Sequence, residues 1–120
     1  MPDLNLTWSK LKILSSVEVQ KIPEGGGVYR LSYDPGGGKR YVFYVGSSND
    51  IKSKILEHIK NSEENVCIKN YMRKYLCFFR YALIENEEQR SGVERQLYLK
   101  FRPKCNFQEP QGSPITINFY

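Results

Sequence analysis

Glu94 is a carboxylate set inside an apolar helical stripe formed by Val93, Leu97, Tyr98 and Phe101. Burying a bare carboxylate there costs on the order of several kcal/mol, so it needs a counter-charge, a donor or water. A salt bridge to Arg90, or hydration at the wet rim of the helix beside Tyr98, would satisfy it structurally. A metal ion would satisfy it chemically. Lys54 and His58, the single histidine, stand four residues apart and share one helix face beside Ile51 and Ile55. Such a pair can present a positive charge to a phosphate and a proton carrier to its reaction. The structural alternative is a rim lysine and a half-buried imidazole held by a backbone carbonyl. Tyr29 and Tyr44 lie on two β-rich runs, each near a glycine, and can meet across a hairpin. Aromatic packing on a sheet accounts for them as well.

Other familiar chemistries find no footing. Gly38-Lys39 is followed by Arg40 and opens no helix, so neither a phosphate loop nor a dinucleotide fingerprint is present. There is no Gly-x-Ser-x-Gly elbow and no HExxH zinc motif. Cys67, Cys77 and Cys105 are odd in number and lack CxxC spacing, which speaks against a disulfide framework or structural zinc and for a reducing cytoplasm.

The elements that must position these residues follow from periodicity. A short helix is expected over Leu6 to Leu14 with Thr7 as its N-cap. Val28 to Tyr33 and Arg40 to Val45 are strands joined through the Asp34-Pro35-Gly36-Gly37-Gly38 turn. Gly46 to Asp50 breaks the chain with N-cap chemistry, and Ile51, Ile55 and Ile59 then mark a helix that ends within 61–65. A second short helix over 66–75 leads to Leu76–Ile84, a continuous apolar run read as a central strand. An acidic first turn at Glu85–Gln89 opens the last helix, which stops at Pro103. The tail beyond Phe107 reads as an edge strand or an extension. The order β-β-α-α-β-α predicts an α+β fold with a small three-stranded antiparallel sheet flanked by helices.

At 120 residues the chain can bury one core. Eighteen Lys and Arg against thirteen Asp and Glu give a net charge of +5, which suits a polyanionic partner. The basic residues gather on the hairpin (Arg30, Lys39, Arg40) and in and after the last helix (Arg95, Lys100, Arg102, Lys104), where they can face a phosphate backbone or simply solvent. No run approaches the roughly 18 apolar residues that span a bilayer, and no signal peptide opens the chain, so no membrane is expected.

Taken in order, these residues resemble the GIY-YIG nuclease superfamily, here as a small stand-alone domain. Gly27-Val28-Tyr29 and Tyr44-Val45-Gly46 match its two signature tripeptides. Lys54 stands where the family usually carries arginine, and His58 matches its frequent histidine one turn later. Glu94 matches its metal-binding glutamate. Pro103 and Asn106 match the ending of that block. Ser47 takes the place of a lysine common in excision-repair members. The likeness implies an N-terminal arm over 1–26, a nuclease domain over 27–106 and a C-terminal extension over 107–120. It further implies an endonuclease hydrolysing DNA phosphodiester bonds with one Mg²⁺ or Mn²⁺ ion held by Glu94. Tyr29 would be general base, its pKa lowered by Lys54 and the ion. Tyr44 would orient water or a phosphate oxygen, His58 would assist proton transfer, and Asn106 would brace the site. Arg30, Arg40, Ser47, Arg95 and Lys104 would bind substrate, and a partner protein or second copy would supply targeting. Because lysine lacks the planar fork of arginine, the alternative is a weak or inactive nucleic-acid-binding module.

Overall fold

A computed structural model describes residues 3–60 and 63–120. The elements in chain order are β1 (Asp3–Leu4), β2 (Lys12–Ile13), α1 (Ser16–Gln20), β3 (Gly27–Asp34), β4 (Tyr41–Ser48), α2 (Ile51–Ile59), α3 (Val66–Lys74), β5 (Leu76–Leu83), α4 (Glu87–Phe101) and β6 (Thr116–Ile117). The expected order holds from Gly27 to Phe101. Of the expected break over 61–65, Asn61 and Ser62 lie outside the described residues. Asp50, Asn65 and Asn86 cap α2, α3 and α4, each accepting a backbone N–H three residues on. Arg102 closes α4 in the left-handed conformation at φ 47°, and Pro103 prevents continuation.

The main sheet has four strands in the order β2-β5-β3-β4, all antiparallel, rather than three. The fourth is the two-residue β2. The free edge of β5 offers unpaired backbone groups, and the N-terminal arm covers them. Ser9 N–H donates to Tyr81 O at 2.8 Å and Leu14 N–H to Cys77 O at 2.9 Å. This edge draws Leu6–Leu14 into extended form instead of the expected helix; the helix begins later, at Ser16, with Ser15 as cap. The tail is an edge element of another kind. β6 pairs in parallel with β1 as a separate two-stranded sheet, and the Asn118 amide bridges Leu6 N and O.

Alternation along the strands divides the core into two layers. Tyr29, Leu31, Phe43 and Phe79 join Val19, Ile22, Ile51, Ile55 and Ile68 beneath α1, α2 and α3. Val28, Val45 and Ala82 meet Val93 and Leu97 of α4, together with Leu6 and Ile115 from the termini. A bulge in β4 disturbs this alternation: Leu31 pairs with Tyr44 but Ser32 pairs with Val42, leaving Phe43 without a partner. The extra residue lets Phe43 and Tyr44 both contribute to the first layer.

Cys67 and Cys105 form a disulfide that ties α3 to the turn after α4, while Cys77 is free and buried. The expectation of no disulfide is thus corrected. Two cysteines 38 residues apart carry no local sign of pairing, and only the packing of α3 against that turn brings them together. The cysteine pattern therefore gives no ground for a compartment. Among the described residues, no helix is long and apolar enough to cross a membrane.

Candidate active site

Tyr29 and Gly46 are directly paired across β3 and β4. A Cβ on Gly46 would lie 2.5 Å from the Tyr29 hydroxyl, so the phenol occupies the space that any side chain there would fill. The Tyr29 ring is fully buried and packs on Tyr44, with centroids 6.2 Å apart. α2 turns Ile51, Ile55 and His58 toward the sheet, which places His58 5.7 Å from the Tyr29 ring and 5.2 Å from the Tyr44 ring. The Tyr29 hydroxyl and His58 Nε2 are 2.7 Å apart. On the other side of the imidazole, Nδ1 meets Glu63 Oε2. A carboxylate only accepts, which assigns the proton to Nδ1 and makes Nε2 the acceptor of the Tyr29 hydroxyl.

The electrostatics of this cluster run against the expected activation. Burial raises the Tyr29 pKa well above its ordinary value, and negative charge on Tyr44, Glu94 and Glu63 adds to the rise. Tyr44 is raised as well, by burial and then by Glu94 and Glu63. The expected lowering by Lys54 does not occur. Its ammonium pairs with Glu57 at 3.5 Å on the exposed rim of α2. Burial lowers the His58 pKa even though Glu63 pulls the other way, so the imidazole is neutral near pH 7.

β4 is the edge strand, so groups from both layers meet past it. Glu94 arrives from α4, and Ser47 Oγ donates to its Oε1 at 2.7 Å. Burial raises the Glu94 pKa, partly offset by that hydroxyl. Among the described residues no lysine or arginine pairs with Glu94. Arg90, the expected structural partner, instead donates to Ile84 O and Glu85 O. Asn106 clamps the open edge of β4: its Oδ1 accepts Val45 N–H at 2.9 Å and its Nδ2 donates to Val45 O at 2.8 Å. A cleft of about 610 Å³ is lined by Tyr44, Asn65, Glu94, Cys105 and Asn106, with Phe107 to Gln111 along one wall.

The comparisons with known proteins bear on the fold. No family model matches the chain. The chain is 33% identical over 84 residues to UvrABC system protein C of Rickettsia rickettsii, a stretch covering 70% of this chain and 12% of that protein, and equally so to its counterpart from Rickettsia felis. The chain thus corresponds to a small part of the curated relatives it matches. Among solved structures, it resembles the GIY-YIG N-terminal endonuclease domain of UvrC from Thermotoga maritima, with a TM-score of 0.59, 20% identity, and coverage of 77% of this chain and 93% of that one. The magnesium-bound form of that domain gives 0.58, with 20% identity and coverage of 75% and 92%. The fold is that of the GIY-YIG endonuclease domain, and the sequence is similar to a stretch of UvrABC system protein C.

Within this GIY-YIG fold, the residues that resemble the family's landmarks gather at one end of β4: Tyr29, Tyr44 and His58 in one layer, with Glu94, Ser47 and Asn106 at the adjoining edge. Lys54 stays on the rim beside them. The expected substrate-binding arginines scatter. Arg30 points into the second layer, buried, with its guanidinium between Trp8, Phe101 and Tyr120 and donating to Phe119 O at 2.7 Å. The structure does not bring it to the cleft, because strand alternation turns it away from Tyr29. Arg40 lies over the Phe78 ring near the hairpin turn. Arg95 is half-buried on α4, and Lys104 is exposed on the turn after it, where its charge reaches Tyr33. Glu63 escapes sequence reasoning altogether, since a glutamate in a polar segment between helices looks solvated.

Proposed function

We propose that residues 27–106 form a metal-dependent endonuclease unit that hydrolyses DNA phosphodiester bonds in the cleft beside Tyr44 and Glu94. The observation that carries this reading is the meeting of a Tyr29–His58 hydrogen bond with a Glu94 carboxylate that, among the described residues, pairs with no lysine or arginine. The donor set suits a hard divalent ion. Glu94 is a half-buried oxygen ligand, and no group of three metal-ligating side chains lies among the described residues. One Mg²⁺ or Mn²⁺ ion would then be held by Glu94, water and substrate phosphate, in keeping with the habit of Mg²⁺ to retain water. When bound, the ion supplies charge stabilisation at the phosphoryl oxygens and the leaving oxygen.

The protein's own groups move the proton. A free Tyr29 phenolate is disfavoured by burial, so the phenol works as a relay: it takes a proton from the attacking water while passing its own to His58 Nε2. Tyr44 orients the water, and Asn106 keeps the β4 edge rigid behind it. Ser47 holds Glu94 in place. Lys54, Arg40, Arg95 and Lys104 lend positive charge to the DNA backbone, and targeting comes from a partner protein or a second copy. The relatives support the repair context, since the matched proteins belong to the UvrABC system and the solved domain is an endonuclease bound to its catalytic cation. The test is nicking of supercoiled plasmid by purified protein with Mg²⁺ or Mn²⁺. Glu94→Ala should abolish it, with DNA binding retained. Equal nicking by both proteins would remove the reading. The second reading, a binding module with little cleavage, is favoured by Lys54 alone, an exposed point charge already paired with Glu57. It expects salt-sensitive binding without nicking.

A further inference from the structure

Both carboxylate oxygens of Glu63 are committed. Oε2 meets His58 Nδ1, and Oε1 accepts the Asn65 backbone N–H at 2.9 Å. Asn65 in turn caps α3 and donates its amide to Cys105 O at 3.2 Å, on the turn that carries Asn106. The Glu63 backbone N–H donates to Lys60 O at 3.1 Å, closing the chain against the end of α2. A carboxylate only 10% exposed and fixed from both sides is held for its partner, the imidazole of His58.

Resting on the nuclease reading, we infer that Glu63 is a positioning residue for the proton relay: it keeps the His58 proton on Nδ1, so that Nε2 stays open to the Tyr29 hydroxyl. An imidazole has two tautomers, and only this one accepts from the phenol. In the step itself, a water oxygen bonds to phosphorus and the bond from phosphorus to the leaving 3′ oxygen breaks. One water proton goes to the Tyr29 oxygen and the Tyr29 proton goes to Nε2. The leaving oxygen takes a proton from solvent. The imidazolium formed is stabilised by Glu63 and returns its proton through a polar cleft of about 480 Å³ lined by Lys54, Glu57, His58, Lys60, Glu63 and Glu64. The charged and titratable groups facing His58 are Tyr29 and Tyr44 from the sheet, Lys54 and Glu57 from its own helix, and Glu63.

His58 is the only histidine, so a nitrogen-detected imidazole spectrum of the full ¹⁵N-labelled chain reports its tautomer without ambiguity. The wild type should show Nδ1 protonated and Nε2 bare near pH 7. Glu63→Ala should move the proton toward Nε2 and slow nicking on the order of 10²-fold. Glu63→Gln, whose amide oxygen still accepts from Nδ1, should keep the tautomer and cut within about 10-fold of wild type. A wild-type proton on Nε2 overturns the inference, as does a Glu63→Ala protein with unchanged tautomer and rate. Should Glu63→Ala not fold, the wild-type tautomer and the Glu63→Gln rate decide between these outcomes. If the tautomer responds as expected but no protein cuts DNA with either ion, the nuclease reading fails and the relay role falls with it, while Glu63 still sets the His58 tautomer.

Discussion

Tyr29 and Arg30 are neighbours on the same strand, both buried, both carrying a polar tip into the interior. Their surroundings differ completely. The Arg30 guanidinium is enclosed by three rings and a backbone carbonyl; burial and the nearby Arg80 draw its pKa down to about 10, which still leaves it charged at neutral pH. The Tyr29 hydroxyl ends in a chain of hydrogen bonds through His58 to Glu63 and lies near Tyr44, which opens on a cleft. A buried polar group is thus no sign of chemistry by itself. The sign is a tip that leads to other titratable groups and to a space where a reactant fits. Arg30 ends among rings and a carbonyl, whereas Tyr29 ends in a hydrogen-bonded chain of titratable groups, which is what the proposed proton transfer rests on.

Substitution at the two positions separates these roles most sharply in stability. Arg30→Met removes a hydrogen bond to a carbonyl and the cation–π contacts, and should cost about 2–4 kcal/mol in denaturant unfolding. Tyr29→Phe keeps the ring and should cost only about 1 kcal/mol. Equal losses would erase the distinction.

The second difference is in pH dependence. The folded pKa of His58 lies below the unfolded value of about 6.5, so the unfolded chain binds the proton first. The stability His58 contributes is complete above 6.5 and is lost as pH falls through its folded value. Glu94 has the opposite sign. Its folded pKa is raised above 4.5, so its ionisation costs stability as pH rises through the raised value. Glu94→Gln should therefore raise the stability near pH 7 by about 1 kcal/mol, seen as a higher melting temperature, and steepen the loss of stability between pH 6.5 and 4.5. Arg30→Met should leave that slope unchanged. A melting profile for Glu94→Gln parallel to wild type across this range would contradict the assignment of Glu94 as a carboxylate under desolvation.

The smallest effect is expected at the rim. Lys54→Arg restores a planar fork where lysine offers a point charge, and nicking should rise several-fold, within the roughly 10²–10³-fold a transition-state donor is worth. A fall in rate would mean that the site is built around the lysine and its Glu57 partner.

Legibility from sequence tracked how local the physics was. The β3–β4 hairpin, α2 and α4 were readable because turn residues, helix caps and apolar spacing act within a few residues. The stretch from Leu6 to Leu14 has helical spacing, but the unpaired edge of β5 claims it, and no residue within the segment announces that strand. Arg30 looked like a phosphate ligand until strand alternation turned it into the other layer. Glu63 acquires its partner only when the chain after α2 folds back on His58, and Cys67 meets Cys105 only across the whole domain. Tyr29, Tyr44, Lys54, His58 and Glu94 stand out by residue type and spacing and match the family landmarks in order, and the fold draws four of them together while leaving the lysine on the rim.

The most direct test of the account is the plasmid-nicking rate of wild type, Tyr29→Phe and Arg30→Met measured side by side with Mg²⁺, each corrected for its folded fraction. Tyr29→Phe should fall by roughly 10²–10⁴-fold, the worth of a positioned proton-transfer group, while Arg30→Met should cut at the wild-type rate. A Tyr29→Phe protein that nicks as fast as wild type would contradict the central claim that this phenol handles the proton of the attacking water.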